Sequence, residues 1–213
     1  MFSRTLVSMT ILTFILTCSS IFASENSIFD GKSFTGWEGD TKKTWRIEDG
    51  VIVGGSLEEV VPRNEFLCTT KKYRDFELKL RFRMSGDRTK ANAGIQFRTK
   101  RIPGHHEVIG YQADIGQNYW GALYDESRRN RVLAQPDKKT LEKVVRWNDW
   151  NDYKIEAKGL RIRLWLNGTP TVDYMETDPA IEKEGVIGLQ VHGGSKVKVE
   201  YKDIIIKEIK SSE

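Results

Sequence analysis

Phe76-Glu77-Leu78-Lys79-Leu80-Arg81-Phe82-Arg83-Met84 alternates apolar and charged residues without a break. A repeat of two is the mark of an extended strand with one face in a core and the other in water. Val197-Lys198-Val199-Glu200-Tyr201-Lys202 repeats the pattern near the other end of the chain. Shorter runs of the same character are Trp45–Ile47, Val51–Val53, Phe66–Thr69, Ala93–Arg98, Val108–Ile115, Gly121–Tyr124, Tyr153–Ala157, Arg161–Leu166, Thr171–Met175 and Val186–His192. Asp49-Gly50, Lys158-Gly159 and Asn167-Gly168 fall between such runs and supply the positive φ that tight hairpins need. Only Asp137–Trp147 has helix-like spacing; it is short and charged, and reads as a loop with one helical turn. So many short strands exceed what one open sheet accommodates, which predicts an all-β, two-sheet antiparallel sandwich of the jelly-roll kind.

The chain has 213 residues, enough for one well-filled domain. Residues 1–23 stand apart: Arg4 precedes the charge-free run Leu6 to Phe22, and Ala23 offers a small residue for cleavage. This reads as a secretory signal peptide followed by a single domain over 24–213, exported to the periplasm or the extracellular space. Lipidation at Cys18 is the alternative, although Ile15-Leu16-Thr17 departs from the usual Leu, small, small pattern. No later segment reaches membrane-spanning length, so the mature protein is expected to have no membrane span.

Without the leader, Cys68 is the only cysteine, and Phe66-Leu67-Cys68-Thr69 suggests a buried, inert thiol. The formal net charge of +4 points to no nucleic-acid partner. The basic run Arg128-Arg129-Asn130-Arg131 lacks interleaved aromatics and reads as a solvated loop. No obligate protein partner is inferred.

Three strands share a further design. Ile95 and Phe97 point one way and Gly94, Gln96 and Arg98 the other; Tyr111, Ala113 and Ile115 oppose Gln112 and Asp114; Leu189 and Val191 oppose Gln190 and His192. Gln, Arg, Asp and His beside glycine differ from the Lys and Glu of the flanking strands. Their hydrogen-bonding groups suit sugar hydroxyls, and the glycines let a ring approach the backbone. The expected site is therefore a concave sheet face that takes a small carbohydrate. Gln96, Arg98, Gln112 and Gln190 would bind substrate, with Trp120 and Tyr124 as stacking surfaces. Asp114, His192, His106 and Glu107 are the candidate catalytic groups. His105, Glu107 and Asp114 are candidate ligands for a divalent metal such as Ca or Mn, although the His105-His106 spacing matches no zinc signature. A noncatalytic glycan-binding module using the same face is the alternative to an enzyme. No nucleophilic serine motif, phosphate loop or dinucleotide fingerprint is present.

The chain resembles the 3-keto-disaccharide hydrolase family through an ordered series of motifs. They run from Ile28-Phe29-Asp30-Gly31-Lys32-Ser33-Phe34-Thr35-Gly36-Trp37 through Trp45–Gly54, Tyr73–Leu78, Asn92–Arg98, Gly110–Asp114, Gly121–Tyr124, Trp150–Tyr153 and Leu166–Gly168 to Gly188–Gly193. The resemblance implies a concanavalin-like or laminin-G-like fold. It also implies cleavage of glycosides oxidised to a ketone at carbon 3, by hydrolysis or by elimination followed by hydration. Family members often carry Glu-x-Gln where this chain has Gln112 and Asp114, so the acidic and amide positions look exchanged.

Overall fold

The computed structural model describes residues 25–210; the expected leader and Cys18 lie outside them. In chain order the strands are β1 (Asn26–Ser27), β2 (Trp37–Glu38), β3 (Trp45–Glu48), β4 (Val51–Ser56), β5 (Glu65–Tyr73), β6 (Phe76–Gly86), β7 (Asn92–Arg101) and β8 (Val108–Gly116). Then come β9 (Leu123–Glu126), β10 (Arg131–Ala134), helix α1 (Lys138–Val144), β11 (Asn151–Lys158), β12 (Arg161–Leu166), β13 (Thr169–Met175), β14 (Gly185–Val191) and β15 (Val197–Glu208). One sheet has the order β13-β12-β11-β6-β15-β4-β3, with β1 also paired to β15, and the other is β10-β9-β8-β7-β14-β5-β2. Every pairing is antiparallel.

The alternation in β6 does what its period dictates. Phe76, Leu78, Leu80, Phe82 and Met84 are each at most 2% exposed, while Glu77, Lys79, Arg81 and Arg83 face outward. Opposite them, the inward residues Ile95, Phe97, Tyr111, Ala113, Ile115, Leu189 and Val191 complete one continuous core. Each fully buried large apolar side chain contributes about 1.5–3 kcal/mol to the burial term, so parity is strongly enforced along these strands. Aromatic contacts tie the layers, as where Phe76 meets Phe97 edge-on at 6.4 Å. Tyr201 of the first sheet donates its hydroxyl across the core to the Gln190 carbonyl at 2.8 Å, with the Gly94 carbonyl at 3.2 Å.

Asp49-Gly50 and Asn167-Gly168 are two-residue hairpin loops with positive φ at both positions, as their composition requires. The segment after Asp137 forms the seven-residue α1, whose first turn is capped by the Asp137 carboxylate accepting from the Thr140 N–H at 3.0 Å. Gly121–Tyr124 was expected to be a strand throughout, but Tyr119–Ala122 turns and pairing begins at Leu123.

The basic run is also not a solvated loop. Arg128 and Arg129 fold back on the fully buried Asp125, and Arg129 also pairs with the buried Glu176 at 2.7 Å. Burial raises the Glu176 pKa, but hydrogen bonds from Arg129 and Tyr111 outweigh it and hold the carboxyl at about 2.

Candidate functional site

The outward face of the second sheet carries the polar side chains, and strand register sets them in rows. Gln190 stands opposite Gly94, and Gly94 opposite Asp114; one row along are Gly188, Gln96, Gln112 and Tyr124. The glycines make the rows possible. A Cβ on Gly94 would lie 2.5 Å from the Gln112 side chain, so Gln112 occupies the space above that glycine.

A buried, directional hydrogen-bond chain follows. Thr99 Oγ1 donates to Gln96 Oε1 at 2.9 Å, Gln96 Nε2 to Gln112 Oε1 at 2.6 Å, and Gln112 Nε2 to Asp114 Oδ1 at 2.9 Å. All four residues are at most 3% exposed. Each amide offers its oxygen to one neighbour and its N–H to the next, which fixes the orientation of both glutamines and delivers a donor to one oxygen of Asp114.

Above this floor lies a cleft of about 170 Å³. Gln112 and Asp114 form its base, Tyr119, Tyr124 and Glu126 one wall, and Asn64, Asn92 and His192 the other. Tyr119 is placed by the turn at Tyr119–Ala122, which is bonded to the Asp114 backbone through Asp114 N–H to Ala122 O at 3.0 Å and Gly121 N–H to Asp114 O at 3.1 Å. His192 follows β14 and donates its backbone N–H to the Asn92 carbonyl at 3.1 Å. Its Nδ1 faces the Gly193 carbonyl at 2.7 Å. A ring nitrogen against a carbonyl oxygen must carry the proton, which leaves the Nε2 lone pair of the neutral ring free to accept.

The electrostatics of the cleft are unusual for carboxylates. Burial drives the Asp114 pKa well above its ordinary range; the Gln112 hydrogen bond only partly offsets this, and the nearby Glu126 charge adds to it. Glu126 is pushed up to about 7, first by burial and then by the charge of Glu107. Tyr124 is raised by burial and by both carboxylates. Burial thus favours the protonated form of both acids, and Glu126 is brought to titrate near neutrality, a pairing of shifted carboxyls that suits acid and base roles.

Gln112, Asp114, Tyr124 and His192, all anticipated from the sequence, line the cleft, and Gln96 lies in the hydrogen-bonded floor. Gln190 shares the face but is fully buried and does not line the cleft. Arg98 is turned away. Positive φ at Arg98 and a register shift between Phe97 and Lys100 break the alternation, sending the guanidinium to Asp75 at 2.7 Å and to the Arg74 and Gly159 carbonyls, both at 2.8 Å. Trp120 packs in the core against Phe82 and Trp147; its neighbour Tyr119 reaches the cleft instead.

His105 and His106 do not enter the cleft. Their rings stack at 4.3 Å in a separate hollow, and His105 Nδ1 accepts the Glu107 N–H at 3.1 Å. Glu107 lies between the two regions, accepting from Asn64 Nδ2 at 3.2 Å and standing 3.5 Å from His106. Among the described residues no group of three or more His, Cys, Asp or Glu converges as a metal site. His105, Glu107 and Asp114 therefore do not fit as joint ligands for Ca or Mn. Glu126, Asn64 and Asn92 were not anticipated, because only the β8–β9 register and the long-range packing of Asn64 and Asn92 bring them here.

The 3-keto-alpha-glucoside-1,2-lyase-like domain matches residues 24–207. The chain belongs to that family. No curated protein sequence matches it significantly. Among solved structures, a proposed glycosyl hydrolase from Parabacteroides distasonis ATCC 8503 superposes with a TM-score of 0.65 at 20% identity, covering 87% of this chain and 94% of that one. The carbohydrate-binding module CBM66 from Bacillus subtilis gives 0.63 at 16% identity, with 81% and 96% covered. A Bacillus subtilis protein described as having a galectin-like fold gives 0.64 at 12%, with 88% and 96% covered. At these identities the likeness is one of fold, a two-sheet antiparallel jelly roll.

Proposed function

We propose that the chain cleaves the glycosidic bond of 3-keto-glycosides in this cleft. The observation that carries the reading is the pairing of Glu126, whose pKa is pushed up to about 7, with a buried Asp114 whose pKa burial also raises, at the base of a small polar cavity. A volume of about 170 Å³ is well below the roughly 300–1,000 Å³ of sites for drug-sized ligands, and suits a single sugar ring.

A ketone at carbon 3 acidifies the hydrogen on carbon 2, so a carboxylate of modest basicity is a sufficient base. Glu126 takes that proton, and the C–H electrons move onto the ketone oxygen as an enolate. Tyr124 donates a hydrogen bond to the developing oxyanion, and Asp114, whose protonated form burial favours, is placed to donate a second. Collapse of the enolate forms the carbon 1–carbon 2 double bond and breaks the bond from carbon 1 to its oxygen substituent. The departing alkoxide recovers the proton from Glu126. The products are an enone sugar and an alcohol, with no net redox change; addition of water to the enone completes a hydrolysis. His192, with Nε2 free to accept, orients a substrate hydroxyl on the opposite wall. Export through the leader would place this chemistry outside the cytoplasm, and a mature N-terminus near Ser24 in envelope or secreted fractions would support that part of the reading.

The test is incubation of the purified protein with 3-keto-sucrose, following release of the second sugar and of an enone chromophore. Both are expected. Saturable binding of the sugar without turnover would replace the enzyme with a glycan-binding module on the same face.

A further inference from the structure

We propose that Asn64 is the positioning residue for His192: it fixes the ring in the form whose Nε2 accepts, and so commits this wall of the cleft to a substrate hydroxyl that donates there. The inference rests on the reading of the cleft above, in which His192 orients such a hydroxyl.

Three hydrogen bonds run from Glu107 to the ring, and Asn64 makes two of them. Asn64 Nδ2 donates to the Glu107 carboxylate at 3.2 Å. Asn64 Oδ1 accepts the Gly193 N–H at 3.1 Å, and the Gly193 carbonyl faces His192 Nδ1 at 2.7 Å. A carboxylate accepts and a backbone N–H donates, so one orientation of the Asn64 amide serves both neighbours. Aspartate in its place would keep the bond to Gly193 and lose the one to Glu107; alanine would lose both.

The bond matters because the backbone it steadies is intrinsically free. His192 is followed by Gly193 and Gly194, and Gly194 has a φ of 86°; two glycines in succession leave the chain more conformations than any other pair. Were the Gly193 carbonyl to swing away, Nδ1 would lose its acceptor and the proton would be free to pass to Nε2, turning the acceptor in the cleft into a donor. The segment 61–64 holds this turn. Val61 O accepts the Gly194 N–H at 2.7 Å, and the Val61 N–H donates to Ser195 O at 3.0 Å. The two backbones lie so close that a Cβ on Gly193 would stand 2.4 Å from the Arg63 Cα. Main-chain bonds thus hold Gly194 and Ser195, while the N–H directly after His192 is held by the Asn64 side chain.

The experiment records imidazole nitrogen NMR spectra of the nitrogen-15-labelled protein at pH 8, where a neutral ring shows which nitrogen carries the proton. The chain has three histidines, and the His192 signals are those that vanish in His192→Gln. The unaltered protein is expected to show the Nδ1–H form for His192. Asn64→Ala is expected to shift the ring toward the Nε2–H form and to lower kcat/KM for 3-keto-sucrose about tenfold, chiefly through KM, the loss of about one hydrogen bond. Asn64→Asp, which keeps an acceptor for Gly193, is expected to keep the Nδ1–H form. An Nε2–H ring in the unaltered protein, an Nδ1–H ring in Asn64→Ala, or equal spectra for the two variants would overturn the inference. So would a shifted ring with kcat/KM unchanged. Failure of the unaltered protein to turn over 3-keto-sucrose, with all the spectra as expected, would overturn the catalytic reading and leave Asn64 as the group that sets His192.

Discussion

Glu126 carries the sharpest residue-scale predictions. As a base it must be ionised, so kcat/KM is expected to rise with pH and level off above about 7, the value to which burial and Glu107 push it. Glu126→Gln removes the base and is expected to cost about a hundredfold or more in kcat and to abolish that limb of the profile. Stability moves in the opposite direction. The folded value lies above the ordinary 4.5, so the native state holds this proton more tightly than the unfolded chain does. That stabilising contribution is complete below about pH 4.5 and is lost as pH rises through about 7. Chemical denaturation at pH 5 and pH 8 should show a smaller drop for Glu126→Gln than for the unaltered chain. A drop of equal size would mean that Glu126 titrates normally.

At the scale of elements, the outward face of β7, β8 and β14 works because glycine alternates with amides. Gly94→Ala sets a methyl group 2.5 Å from Gln112 and is expected to push that side chain off Asp114. The measurement is activity beside the denaturation midpoint; activity should fall at least tenfold for a stability loss of about 1–3 kcal/mol. Arg98→Met should do the reverse. It removes a 2% exposed guanidinium from Asp75 and two carbonyls, expected to cost about 3–5 kcal/mol while sparing turnover by the folded fraction.

These two positions also mark how far the sequence could be read. Parity assigned Gln96, Gln112, Asp114 and Gln190 to one face correctly, because burial of Ile95, Ala113 and Leu189 locks the strands in register. It failed at Arg98, where a bulge inserts an extra residue and no local signal announces it. Trp120 was misread as a stacking surface, because the turn that carries it sends its ring into the core and brings Tyr119 to the cleft instead. Glu126 enters the cleft only through its pairing with Gly110 across β8 and β9, a long-range register that one strand's pattern does not contain.

For the molecule as a whole, Cys68 is a built-in reporter. It is fully buried in the second sheet, packed with Phe66, Val108 and Val186, and burial pushes its thiol up to about 11. Neither thiolate nor access is present in the folded protein at pH 7. In a chain with Cys18 replaced by Ser, labelling of Cys68 by a thiol reagent is expected to follow global unfolding, with the same denaturant midpoint as tryptophan fluorescence. Labelling well before that midpoint would show that the second sheet opens separately.

The position of β14 between β5 and β7 bears on synthesis. Two strands that are close in sequence stay apart until one made about ninety residues later slides between them, and His192 follows directly behind it. A ribosome-bound chain therefore holds most of the domain's aromatic residues long before it is able to close the second sheet, so folding waits until β14 has been made. Pairings of such long span form slowly, on the order of milliseconds to seconds, and an unfinished polypeptide in that interval is a natural client for chaperones.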